Sequence, residues 1–441
     1  MFKLLHTGDL HFSNHIDKLQ EVVRTSDFIL RSAESDRPDC IVLAGDVLDE
    51  YDGRIRIDSD CARAAISFVE RAANIAPVVI IRGTRSHDRE SPYLFKHLRS
   101  RFPVHVASDV EMVALELDPF GIGSFTTAID ANADYAAVFT LVPSLDKAAL
   151  LGRISVESIK DGNWQFKEAI HDMFAGFGLI NQQFSCPTVL VTHGMLTGAC
   201  FSSGQTAIGE DLEFGLNDLH AAGCDYVALG HVHKHQQWGN VVYSGSPGRL
   251  NFGETEDKGF CMVDFAGKVP SMRFIQTPAR KFWFGELAWE DGFEASVVTD
   301  HVQAHLGEVE GADVRFRYSV PEEYRQQVDR DLIERMFLEA GAARVKIEAQ
   351  VLPRQRVRAA GISRAETLPE KVVKWADCVG ETVPDRVLAL ASVIEGQDAD
   401  ELLAMAQAAV CGVQPVEVDP AVAVADTYHE EQADLFAGGV L

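Results

Sequence analysis

Five short segments of this 441-residue chain carry carboxylates and imidazoles at spacings that could act together. They are Asp9-Leu10-His11, Asp46-Val47-Leu48-Asp49, Thr84-Arg85-Ser86-His87-Asp88, His193-Gly194 and His231-Val232-His233. Each follows an apolar run: Lys3–Gly8, Cys40–Gly45, Pro77–Gly83, Pro187–Thr192 and Asp225–Gly230. A lone Asp-x-His or His-x-His is ordinary surface or capping chemistry, and a lone Gly-Asp-x-x-Asp is a turn with a helix cap. Five strand ends of this kind in one chain mean more, because open α/β sheets gather ligands at the carboxyl ends of their strands. Oxygen and imidazole donors without thiolates suit Mn²⁺, Fe²⁺ or Zn²⁺ better than a structural zinc cage. Asp9, His11, Asp46, His193, His231 and His233 are too many ligands for one four-coordinate ion. Two divalent ions about 3.5–4 Å apart, bridged by one carboxylate, would use them all, an arrangement suited to phosphoester hydrolysis. His87, beside them, is then placed to protonate the leaving oxygen.

The elements that must position these residues follow from periodicity. Helical patterns at Asp17–Ala33, Ser59–Ala73 and Asn217–Ala222 separate the continuous apolar runs. That alternation predicts an α/β fold with a sheet buried on both faces. Residues 118–185 are less regular and read as an elaboration beside the core, with one amphipathic helix near Trp164–Phe177. Further on, Lys281–Leu287, Val314–Val320 and Arg344–Val351 read as strands, and Ser296–Leu306 and Glu322–Glu339 as helices. This β-α-β-α-β order predicts a small α+β unit. A basic linker with Arg354, Arg356, Arg358 and Arg364 leads to two amphipathic helices, Pro369–Val379 and Val383–Ile394. The expected division is therefore 1–275, 276–352, 353–410 and an acidic, flexible tail at 411–441.

Composition sets limits on function. With 40 Lys+Arg against 66 Asp+Glu the formal charge is −26, while 46% hydrophobic residues exclude general disorder. No apolar run approaches the roughly 20 residues of a membrane span. A motif already at Asp9 leaves no room for a signal peptide, and the eight cysteines contain no CxxC pair. A soluble, cytoplasmic protein with reduced thiols is expected. Proteins that grip DNA alone are usually basic. This chain must act on another anion, or rely on metal ions and a partner to overcome its own field.

The ordered set of motifs resembles the calcineurin-like metallophosphoesterase superfamily. Its flanks narrow the resemblance: His6-Thr7-Gly8-Asp9-Leu10-His11-Phe12, Gly230-His231-Val232-His233, Tyr243-Ser244-Gly245-Ser246-Pro247, Asn251-Phe252-Gly253-Glu254 and Lys258-Gly259 look like the SbcD-type DNA repair exonucleases. The likeness covers residues 1–265 strongly and reaches in architecture to about 352, then more weakly to the C-terminal helices. It implies a sandwich of β-sheets flanked by helices, a small α+β capping domain and a C-terminal helical hairpin. One ion would take Asp9, His11, Asp46 and His233, and the other Asp46, His193 and His231, with Mn²⁺ the expected metal. His87 matches the family's catalytic histidine, Asp88 the acid following it, and Asp49 the second acid of Gly-Asp-x-x-Asp. The implied activity is 3′→5′ exonuclease on duplex ends and endonuclease on single strands. The implied partners are DNA, a second copy of the chain through the helices of its first hundred residues, and an SbcC-type coiled-coil ATPase gripped by the C-terminal helices.

One motif departs from the pattern. The family's Gly-Asn-His-Asp is here Gly83-Thr84-Arg85-Ser86-His87-Asp88, two residues longer. Ser86 stands where the Asn should supply a carbonyl to the second ion; water or a backbone carbonyl could serve instead. Two other functions stay open: a phosphodiesterase or phosphatase for a small or protein phosphoester, and a catalytically weakened subunit. The helical pair could equally fold against its own cap. Gly245–Gly248 reads as a loop shaping the site, with no nucleotide. His6, His15, His105, His235, Trp283, Trp289, Cys200 and Cys224 read as structural.

Overall fold

The computed structural model describes residues 2–51, 53–118, 123–145, 159–202, 213–266, 269–288, 294, 296–352, 362–398, 401–403 and 406. Two sheets face each other in its larger unit, which ends at Val351. The first sheet has the order Ser271–Gln276, Gly259–Asp264, Lys3–Thr7, Cys40–Leu43, Val78–Ile81 and Val104–Ala107. Its four strands from Lys3–Thr7 to Val104–Ala107 are parallel, Gly259–Asp264 runs against them, and Ser271–Gln276 pairs antiparallel with Gly259–Asp264. The second sheet has the order Gln236–Trp238, Val241–Tyr243, Tyr226–Gly230, Thr188–His193, Ala137–Val142, Glu111–Leu117 and Gly123–Thr126. It is parallel from Val241–Tyr243 through Ala137–Val142.

Alternation along each strand explains the layers. Leu4, Val42 and Val79 point into the space between the sheets, where they meet Phe139, Val189, Val191 and Ala228. Leu5, Ile41, Leu43, Val78 and Ile80 face the other way, against helices Ile16–Asp36 and Asp60–Ile75. Leu190, Val227 and Leu229 pack likewise on Phe174 of helix Ile159–Asn181 and Leu219 of helix Leu216–Ala221. The result is mixed α/β, with sheets flanked by helices.

Two expectations need correcting. Residues 118–185 are no elaboration: Ala137–Val142 is a wholly buried strand in the middle of the second sheet, between Thr188–His193 and Glu111–Leu117. Its neighbours come from distant sequence, so local pattern alone gave no sign of its place. The helix expected over Glu322–Glu339 is broken. A 3₁₀ stretch, Glu322–Gln327, precedes the α-helix Arg330–Glu339, whose start is fixed by the Asp329 carboxylate accepting from Leu332 N at 3.0 Å.

Strands Lys281–Leu287, Ala312–Pro321 and Arg344–Leu352 form a three-stranded sheet with helices Ser296–His305 and Arg330–Glu339. Trp283, Phe316 and Phe337 fill its core. It is tied to the larger body by Glu21, a buried carboxylate on the first helix, whose Oε1 accepts from Arg249 N at 3.3 Å and Arg280 N at 2.8 Å.

The second unit begins at Leu352. Its helix Leu368–Val379 is capped by Thr367 and stopped by Gly380 at φ 74°, and Asp385–Glu395 follows. Ala376 and Ala391 are buried, whereas Val373, Trp375, Val379, Val387 and Leu390 stay exposed. The arginines at 354, 356 and 358, Trp289 and the expected flexible tail at 411–441 lie outside the described residues. Among the described residues no helix is long and apolar enough to cross a membrane.

Candidate metal centre

The parallel strands of both sheets end at one rim, and their loops interlock there. Asp9 N donates to Gly45 O and His11 N to Asp46 O, each at 3.0 Å, so the loops after the first two strands run side by side. His193, the last residue of its strand, bridges the sheets: its Nδ1–H donates to Ala44 O at 2.8 Å. That bond fixes the tautomer and leaves Nε2 facing Asp46 Oδ2 at 3.3 Å. His231 N donates to both carboxylate oxygens of Asp9, at 2.9 and 3.0 Å.

This interlock bends the backbone. Asp9, His11, Asp46 and His231 all have positive φ, between 49° and 105°, a region that residues with a β-carbon avoid. Glycines make the close approach possible. At Gly45 (φ 86°) a Cβ would lie 2.7 Å from Gly83 Cα, and at Gly83 one would lie 2.8 Å from Asp46 Cγ.

Two groups of donor atoms result, Asp9–His11–His233 and Asp46–His193–His231, the atoms within each lying inside 4.8 Å of one another. All six side chains are buried. Burial pushes the Asp9 carboxyl up, even against His193 and His233. Burial also lowers His11 well below the usual imidazole range, helped by His87 and His233. Asp46 goes the other way: burial opposes its charge, but the His193 imidazole outweighs that and holds it well below the carboxylate range. His193 rises to about 10, as the Asp46 charge overcomes burial.

These residues fit divalent cations. His11 and His233 bring their Nε2 atoms within 3.0 Å, an approach that two neutral lone pairs tolerate only with a proton or cation between them. His193 Nε2 lies 3.3 Å from Asp46 Oδ2, and a cation bound between them would displace a proton from the imidazole, as ligation generally does.

A third group adjoins the first two. His87 Nδ1 donates to Asp49 Oδ1 at 2.9 Å, and Lys18 Nζ lies 3.5 Å from Asp49 Oδ2. The His87 side chain keeps a quarter of its surface in solvent. Burial would lower its pKa, but the Asp49 hydrogen bond and the Asp46 charge raise it overall. Tyr51, itself exposed, stacks on the His87 ring at 5.7 Å.

A family model described as calcineurin-like phosphoesterase matches residues 2–235, more than half of the chain. The chain belongs to that family. Its chemistry is metal-dependent hydrolysis of phosphoesters, and the gathered donors are suited to it. A solved structure also matches at 12% identity and a TM-score of 0.31, over 62% of this chain and 98% of its own, a likeness too loose to assign anything.

The phosphoesterase site includes residues that the motifs did not reveal. Thr84, rather than Ser86, reaches Asp46: its N and Oγ1 lie 2.7 and 3.0 Å from Asp46 Oδ1. Ser86 Oγ instead hydrogen-bonds Thr84 Oγ1 at 3.4 Å. In this longer loop the residue after Gly83 lies directly on Asp46, and the expected Ser86 stands next to it through Thr84. Asp88 is fully buried, and its oxygens accept from Gly83 N at 2.7 Å and Leu48 N at 2.9 Å. Burial and the Asp46 charge raise it to about 7. Asp88 thus holds the loops rather than facing a substrate. Lys18 gave no signal beyond its place on the first helix. Glu254 and Lys258 stand in quoted motifs, but their role came only with the fold.

Proposed function

We propose that this phosphoesterase is a DNA nuclease of the SbcD type, cutting phosphodiesters with two divalent ions, Mn²⁺ foremost, as the nuclease subunit of an ATPase-linked repair complex. The observation that supports the choice of substrate is on the small sheet that follows the two large ones. It stacks guanidinium groups on phenyl rings, Arg280 on Phe282 at 4.6 Å and Arg317 on exposed Phe284 at 5.8 Å, in a chain of charge −26. Both guanidinium groups are engaged by carboxylates, Arg280 by Asp313 and Arg317 by Glu286 and Glu348, so what this sheet offers a base is the exposed face of Phe284. The exposed apolar side chains of the C-terminal helix pair, with Trp375 among them, support a partner helix as their cover.

Asp9, His11, Asp46 and His233 would hold one ion, and Asp46, His193 and His231 the other. Bound there, the ions supply charge to the phosphoryl oxygens and acidify water. A water oxygen bonds to phosphorus as its proton passes to solvent, from which His87 is later reprotonated, and the bond to the leaving oxygen breaks. His87, oriented at Nδ1 by Asp49, gives its Nε2 proton to that leaving oxygen. Asp49 and Lys18 keep the ring aimed.

The test is cleavage of a labelled duplex and a hairpin by purified protein with Mn²⁺, beside Asp46→Ala and His87→Ala. Cutting that both substitutions abolish is the expected result. Inert DNA with hydrolysis of an aryl phosphodiester would overturn the nuclease reading in favour of a small substrate. Inactivity on both, unrelieved by an ATPase partner, would point to a weakened subunit.

A further inference from the structure

Glu254 and Lys258 are wholly buried next to a ligand without being ligands themselves. Glu254 Oε1 faces His233 Nδ1 at 3.7 Å, and its Oε2 lies 2.8 Å from Lys258 Nζ. Leu250 N donates to Oε2 and Asn251 Nδ2 to Oε1, both at 3.2 Å. Lys258 Nζ also lies 2.8 Å from Glu256 Oε1 and donates to His233 O and Ser246 Oγ, each at 3.1 Å. Ser246 N donates to the same His233 carbonyl at 3.1 Å. The pair therefore flanks His233, with the carboxylate facing its ring nitrogen at 3.7 Å and the lysine hydrogen-bonded to its backbone carbonyl.

Packed apolar side chains would fill this space without the penalty of desolvating two charges. Something must favour ions here, and His233 is the group both of them address. We infer that the Glu254–Lys258 pair is a positioning device for His233: the carboxylate draws the ring proton to Nδ1, and the lysine fixes the carboxylate. The Nε2 lone pair is then presented to the Asp9–His11–His233 group, where Nε2 already meets His11. Ligating histidines commonly lean on a carboxylate through the other ring nitrogen. This chain adds a buried cation behind it. The inference rests on the two-ion reading of the centre and adds which contacts set the strength of one ion.

Mn²⁺ titration of the full chain, followed by calorimetry and by electron paramagnetic resonance, tests it. Wild type is expected to bind two ions. Glu254→Gln, which keeps shape and loses charge, is expected to bind one as before and the other about 10–100-fold more weakly, with Glu254→Asp recovering part of the loss. Nitrogen resonances of the cation-free protein provide a second readout: a single Nδ1–H tautomer at His233 in wild type, and a mixture in Glu254→Gln. These readouts need no activity, and they decide the matter even if Glu254→Asp fails to fold. Two ions of unchanged affinity and an unchanged tautomer in Glu254→Gln would overturn the inference and leave the centre intact. A wild type that binds no Mn²⁺ would overturn the two-ion reading, and the inference with it.

Discussion

On opposite sides of His11 the molecule builds the same trio twice, with different surroundings. Lys18–Asp49–His87 lies at the rim: the lysine is 3.5 Å from its carboxylate and its side chain 29% exposed. Lys258–Glu254–His233 lies inside, with the ions 2.8 Å apart and no exposure for either. Burial turns one chemical motif to two ends. In the dry trio the carboxylate is held down near a pKa of about 2, since His233 and Lys258 outweigh the cost of burying its charge, and the imidazole it faces at 3.7 Å is one of the donors. In the wetter trio Asp49 is likewise held low, but its histidine touches solvent and can give a proton away.

The largest way to break this comparison is to remove the carboxylate between the sides. Asp46→Ala should lose hydrolysis beyond detection and both bound ions, read by metal analysis after dialysis. His87→Ala comes next: a fall of about 10²–10⁴-fold in kcat with two ions still bound separates the proton donor from the ligands. Lost ions in that variant would erase the distinction drawn here. Asp49→Asn is expected to cost on the order of tenfold and to change the pH profile. His87 acts while protonated, and Asp49 raises its pKa; without that charge the alkaline limb should move to lower pH. An unmoved limb would remove Asp49 from this role. The smallest contrast is in stability, measured by denaturant unfolding. Lys258→Met should destabilise by about 3–5 kcal/mol, as it strands buried carboxylates. Lys18→Met should change stability by less than about 1 kcal/mol.

How far the sequence could be read depended on how local each signal was. The six donors were legible because each follows an apolar run, and a strand's carboxyl end is a place in space as well as in sequence. Thr84 was hidden by the two extra residues of its loop, which made alignment to His87 point at Ser86. Glu254 and Lys258 could be seen as residues but not as a brace, because a loop must fold back some 20 residues to reach His233. Ala137–Val142 was apolar enough to be a strand, yet its place in the second sheet depends on partners such as Thr188–His193 that only the folded chain brings alongside.

The four left-handed backbones at Asp9, His11, Asp46 and His231 carry a cost in stability. Each costs roughly 1–2 kcal/mol relative to an ordinary conformation, and none is needed to close the sheets. Glycine at these positions would adopt the same φ without that cost, most of all at His231 with φ 105°. The strain therefore sits on the residues whose side chains form the two donor groups, so relieving it at any of them removes a donor.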